Sequence, residues 1–132
     1  MAEIIFNGPD GRLEGRYHKS TLKDAPIAVV LHPHPLHGGN MNNRVVYTLY
    51  NAFADSGFSV LRFNFRGVGR SQGSYDSGAG ELSDAAYALI GYNKSILLAT
   101  YAGLVVILLA LSMGEWEWIR AAGVAVVILG VL

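Results

Sequence analysis

The charged side chains of this chain are distributed unevenly. Beyond residue 94 only Glu115, Glu117 and Arg120 carry charge, while every other charged side chain and all four histidines precede them. A polypeptide so divided must satisfy two surroundings: a front that folds in water around its own core, and a tail that lipid or protein has to cover.

Composition narrows the functions open to the front. The formal net charge is +0, which leaves no field for gathering phosphates, so nucleic acid is not an expected partner. There is no cysteine. Disulfides, thiolate metal sites and cysteine nucleophiles are therefore excluded.

The front reads as an α/β chain. Glu3 to Phe6 is a short apolar run, and Asn7-Gly8-Pro9-Asp10-Gly11 supplies turn chemistry for a hairpin. The return strand, Arg12 to His18, alternates Leu13, Gly15 and Tyr17 with Arg12, Glu14 and Arg16, the pattern of a sheet with one wet face. Ile27 to Leu31 is continuously apolar and predicts a central strand covered on both sides. From Asn43 to Asp55, Val46, Leu49, Tyr50 and Phe53 recur at helical spacing, with Asn42 or Asn43 as N-cap and Gly57 as the stop. Phe58 to Phe65 predicts the next strand, completing a right-handed βαβ unit. Glu81 to Gly91 predicts a second helix.

Chemistry is expected beyond the carboxyl ends of parallel strands. There stands His32-Pro33-His34-Pro35-Leu36-His37-Gly38-Gly39-Asn40. Pro33 and Pro35 lack an N–H and hold the loop extended, so the first free backbone donor past the strand is His34 N–H, followed by Leu36 N–H. Such a loop can present an amide to a developing oxyanion, the reading favoured here. A metal site on His32, His34 and His37 and histidines that merely pack the loop are the alternatives. Gly69-Arg70-Ser71-Gln72-Gly73 matches G-x-S-x-G literally, but a flexible loop follows it where a nucleophile elbow opens a helix, and no histidine follows Ser71. Ser71 is therefore not read as a nucleophile. A phosphate cradle at Gly67-Val68-Gly69, flanked by Arg66 and Arg70, lacks the spacing of either nucleotide-binding loop.

The strings Val29-Val30-Leu31-His32-Pro33-His34-Pro35-Leu36-His37-Gly38-Gly39-Asn40 and Val60 to Gly73 together resemble the α/β-hydrolase superfamily, in particular bacterial serine hydrolases with a His-Pro-His-Pro loop. The resemblance covers about residues 3–90. It implies that His34, Leu36, Gly38 and Gly39 belong to the oxyanion loop after the third strand. Arg66, Gly67, Gly69 and Ser71 would form the loop after the fourth, whose serine is not the nucleophile. It also implies ester, thioester or amide hydrolysis, with a small acyl substrate and no cofactor or metal. The family's fifth strand with its elbow, acid and histidine finds no match from Asn93 onward, so the polypeptide as given is expected to be inactive.

The tail reads differently. Ser95 to Gly114 has no charged side chain and would make about 30 Å of helix, enough to cross a bilayer core. Lys94 and Glu115-Trp116-Glu117-Trp118 bracket it in the manner of a headgroup zone. The expected organisation is a truncated hydrolase-like domain over 1–92, a transmembrane helix over 95–114 with lipid as its partner, and over 115–132 a charged, aromatic loop with an incomplete apolar helix. Two further readings are a small integral membrane protein with a non-catalytic front, and a fused or frame-shifted fragment. Met1-Ala2-Glu3 does not open a signal peptide. The expected location is a membrane with the front in the cytoplasm, or the cytoplasm alone if the tail is buried in the fold. In that case Leu104 to Leu109, β-branched at Val105, Val106 and Ile107, is the expected substitute strand. Without one, the sheet would expose an inner edge and leave Val29, Val30, Phe63 and Phe65 partly uncovered.

Overall fold

A computed structural model describes residues 2–92 and the backbone of residues 104–107 and 126–129. Strands β1 (Ala2–Gly8) and β2 (Gly11–His18) form an antiparallel hairpin that turns through Pro9 and Asp10, with Gly8 opposite Gly11. Gly11 adopts φ +121°, a region that side-chain-bearing residues avoid. Strands β3 (Ile27–Val30) and β4 (Ser59–Phe63) pair in parallel, joined through helix α1 (Arg44–Asp55), and β2 adds antiparallel to the far edge of β4. Asn43 caps α1, its side chain accepting from the Val45 N–H at 2.9 Å. Helix α2 spans Ala79–Tyr92.

Period-two alternation divides the core between the two faces of the sheet. Val29, Leu31, Leu61, Phe63 and Phe65 join Leu13 with Ala85 and Ala88 of α2 on one face. Ala28, Val30 and Val60 meet Val46 and Tyr50 of α1 on the other. The hairpin expectation fails at one residue. Glu14, assigned by alternation to a wet face, is 7% exposed.

The tail requires a larger correction. Strands β5 (Leu104–Ile107) and β6 (Val126–Leu129) form an antiparallel pair, and the sheet order is β1-β2-β4-β3-β6-β5. Among the described residues no helix is long and apolar enough to cross a membrane, and Leu104–Ile107 lies inside the span predicted as a transmembrane helix. The apolar run carries β-branched residues whose backbone hydrogen bonds are met here by sheet pairing instead of a helical ladder. The strand beside β3 is β6, which runs antiparallel with Val30 opposite Val126 and Ile27 opposite Leu129. The substitute expected at Leu104 to Leu109 is thus one position further out. With that edge paired, Val29 and Val30 are 0% exposed, Phe63 1% and Phe65 7%, so the expected partial exposure is not found. The bracketing Lys94 and the Glu115-Trp116-Glu117-Trp118 segment lie outside the described residues.

Candidate functional site

Two loops leave the carboxyl ends of β3 and β4 side by side. The first begins at His32, whose ring is 3% exposed and packs edge-on to Phe65 with centroids 4.7 Å apart. The Phe65 N–H can only donate, so His32 Nε2 accepts it at 3.1 Å, and Nδ1–H donates to the Pro33 carbonyl at 2.7 Å. Both ring nitrogens are thereby occupied, which removes His32 from any ligand set with His34 and His37. The same bonds replace the packing alternative for His32 with a specific role: it ties the start of the first loop to the second.

Burial is the largest influence on His32 and lowers its pKa, while the Pro33 hydrogen bond and the Glu81 charge oppose the shift. The unfolded chain therefore binds more protons than the folded one once the pH drops below the ordinary histidine value of about 6.5. Stability is expected to fall with acidification from there, at a slope approaching about 1.4 kcal/mol per pH unit, until folded His32 itself protonates. Urea unfolding at about pH 7 and about pH 5.5, repeated on His32→Asn, checks this. The variant should lose that share of the pH dependence, and an unchanged dependence would contradict the assignment.

The far end of the first loop is strapped down as well. The Met41 N–H donates to Asn64 Oδ1 at 2.7 Å, and Arg62 Nη1 donates to the Met41 carbonyl at 2.6 Å and to Asn42 Oδ1 at 3.0 Å. Between these anchors Pro35–His37 makes a 3-10 turn capped by His34. The Leu36 N–H donates to His34 Nδ1 at 3.2 Å, the His37 and Gly39 N–H groups to the His34 carbonyl at 3.0 and 3.1 Å, and the Gly38 N–H to the Pro35 carbonyl at 3.2 Å. Leu36, Gly38 and Gly39 therefore direct their amides into the turn, contrary to the expectation that Leu36 offers the next free donor. The His34 N–H has no acceptor among the described residues.

The second loop wraps buried carboxylates. Glu14 accepts from Asn64 Nδ2 and the Arg70 N–H, each at 2.7 Å, and from Arg70 Nε at 2.8 Å. Gly69 is at φ +56°, and a Cβ there would lie 2.6 Å from Asn64 Nδ2. Gly67 is also left-handed, at φ +73°, and its N–H donates to the Gln72 carbonyl at 3.2 Å. The Ser71 hydroxyl, in a residue 7% exposed, donates to the Asn64 carbonyl at 2.7 Å and accepts the Glu14 N–H at 3.1 Å. It stitches β2 to the loop. Arg66 donates through its backbone N–H to Asp84 Oδ2 at 2.9 Å and through Nη2 to Asp84 Oδ1 at 2.9 Å. The phosphate-cradle alternative loses its two cations, since Asp84 and Glu14 pair with and neutralise Arg66 and Arg70. Glu14 and Asp84 escaped sequence reasoning; the signal available was a glycine-flanked arginine pair closing an apolar strand.

Tyr75 joins the two loops. Its hydroxyl lies 3.0 Å from His34 Nε2, and the rings are 5.2 Å apart. Tyr75 also lines an open cavity of about 510 Å³ together with Asp10, Arg66, Asp76 and Gly80.

Solved structures share this fold. ATU1826 of Agrobacterium tumefaciens, a candidate alpha/beta hydrolase of unknown function, is 61% identical and superposes with a TM-score of 0.68 over 73% of this chain and 43% of its own. An alpha-beta serine hydrolase homologue from Coxiella burnetii is 44% identical, with a TM-score of 0.63 over 68% of this chain and 44% of its own. The N-terminal part of this chain is related to the alpha/beta-hydrolase superfamily. The hydrolase-like front also matches the uncharacterized protein RP471 of Rickettsia prowazekii, 63% identical over 89 residues, which are 67% of this chain and 37% of that protein. The chain thus spans less than half the length of each of these relatives. No family model matches it.

Proposed function

We propose that the hydrolase-like front serves acyl transfer to water from a small ester, thioester or amide, with the His34 N–H receiving the oxyanion. One observation supports this reading above the others. Of the amides from His34 to Gly39, the His34 N–H alone lacks an acceptor among the described residues, and it stands just past the carboxyl end of the central strand β3. When a nucleophile attacks the substrate carbonyl, an electron pair moves onto oxygen, and a fixed donor close to that oxygen lowers the barrier. The donor is held in place beforehand, since His32, Asn64 and Arg62 anchor both ends of its loop. Ser71 has a positional part in this reading. These residues supply the oxyanion side of the reaction and leave the attack to other groups.

Oxyanion stabilisation and binding give residual catalysis even where triad members are missing, so hydrolysis of an activated p-nitrophenyl ester by the chain reads the donor directly. His34 sits at φ −48° and ψ 122°, close to the φ that proline imposes. His34→Ala therefore removes the imidazole and keeps the N–H, whereas His34→Pro removes both. The proline variant should hydrolyse the ester about tenfold more slowly than the alanine variant or slower still. Equal rates, with both variants folded by circular dichroism, would overturn the reading.

A further inference from the structure

We infer that Tyr75 is a positioning residue: its hydroxyl holds the orientation of the His34 ring, and through it the conformation of the loop that presents the His34 amide. The inference rests on the oxyanion reading for its purpose, but its geometry is independent of that reading. The Leu36 N–H is an obligatory donor, so His34 Nδ1 must be an unprotonated acceptor. The proton of the neutral ring then resides on Nε2, and Nε2–H donates to the Tyr75 hydroxyl oxygen at 3.0 Å. In the other tautomer, Nδ1–H would face the Leu36 N–H donor to donor, and the cap of the 3-10 turn would be lost. The Leu36 N–H sets the tautomer, and the Tyr75 hydroxyl, bonded to Nε2 on the far side of the ring, holds the imidazole in the orientation that keeps Nδ1 on that amide.

His34 is exposed, and its only other ring neighbour in the loop is His37, with centroids 4.8 Å apart. The prolines on either side of His34 fix the chain entering and leaving it, which leaves the imidazole as the adjustable part of the loop. Tyr75 is suited to hold that ring because its own segment is pinned. The Asp76 N–H donates to Glu81 Oε1 at 3.0 Å and the Gly78 N–H to Glu81 Oε2 at 2.8 Å, so the acid in the first turn of α2 fastens the chain just after the tyrosine. The tie therefore runs from Tyr75, just before α2, across the mouth between the two loops, to a residue 41 positions earlier.

The test uses the full chain with Tyr75→Phe, which keeps the ring and removes the hydroxyl. With the ring no longer held, the Leu36 amide should exchange about threefold to tenfold faster, the range for loss of one hydrogen bond. Hydrolysis of the p-nitrophenyl ester should fall by a similar factor in kcat with KM unchanged. In the His34→Ala background Tyr75→Phe should have no further effect, because the tyrosine acts through that imidazole. Unchanged Leu36 exchange would overturn the inference, as would an equal loss of rate in the His34→Ala background. If Leu36 exchange rises as expected while His34→Ala and His34→Pro hydrolyse equally, the tie stands and the oxyanion reading fails.

Discussion

Replacing Asp84 by alanine should destabilise the chain by about 3 kcal/mol or more, visible as a large drop in urea midpoint with little change in slope. Asp84 is 0% exposed on α2, and its carboxylate accepts the Arg66 backbone N–H and two guanidinium nitrogens. The hydrogen bonds and charge of Asp84 raise the Arg66 pKa, and because a guanidinium is protonated with or without that support, Arg66 stays charged when its partner is removed. The loss is therefore a buried, unpaired cation plus an orphaned backbone donor, and not merely one missing contact. Asp10 Oδ2, at 3.7 Å from Arg66 Nη1, can recover part of it, which places the expectation at the lower end of the range for broken buried pairs. Asp84→Asn keeps the shape and one acceptor oxygen and should cost less. Equal stability of Asp84→Ala and the parent chain would show that the pair contributes nothing. The same guanidinium lies against Gly80, where a Cβ would come within 2.5 Å of Arg66 Cζ. The pair thus sets how closely α2 approaches the β4 loop.

Gly39→Ala should abolish the His34-dependent part of ester hydrolysis. A Cβ at Gly39 would fall 1.9 Å from the Pro33 carbonyl oxygen and 2.8 Å from the His34 carbonyl oxygen. Both are backbone atoms, so no side-chain rotation relieves the overlap and the loop itself has to move. Overpacking of this kind typically costs about 1–3 kcal/mol, which should leave a folded chain whose loop no longer returns from Gly39 to Pro33. That return holds the Gly39 N–H on the His34 carbonyl and the His32 ring on the Pro33 carbonyl. Esterase activity in Gly39→Ala above that of His34→Pro would show that the amide survives the rearrangement.

How much of this was legible in the sequence depended on whether a residue's role is local. Two prolines around His34, an asparagine before an amphipathic run and an unbroken apolar string from Ile27 each act within a few residues, so the central strand, α1 and the first loop could be placed. Glu14 and Asp84 have their partners in other elements, Glu14 at separations of 50 from Asn64 and 56 from Arg70, and Asp84 at 18 from Arg66. Alternation assigned Glu14 to water because period two records which face a residue takes and not what closes over it. The tail misled for a different reason. An apolar run is equally compatible with a helix in lipid and with strands in a sheet, and only the β-branched stretch Val105 to Ile107 favoured pairing. Even that could not specify that Val126–Leu129 takes the place beside β3.

The inward direction of the loop's charge bears on how a substrate would arrive. Arg66 faces Asp84 with Asp10 behind it, and Arg70 is held between Glu14 and Glu3. These two cations are each matched by acids of the same fold within a few ångströms, so little of their potential extends a Debye length into solution. Under the proposed reading, an acyl compound would draw no steering from Arg66 or Arg70, and its encounter with these two loops would be ordinary diffusion followed by orientation.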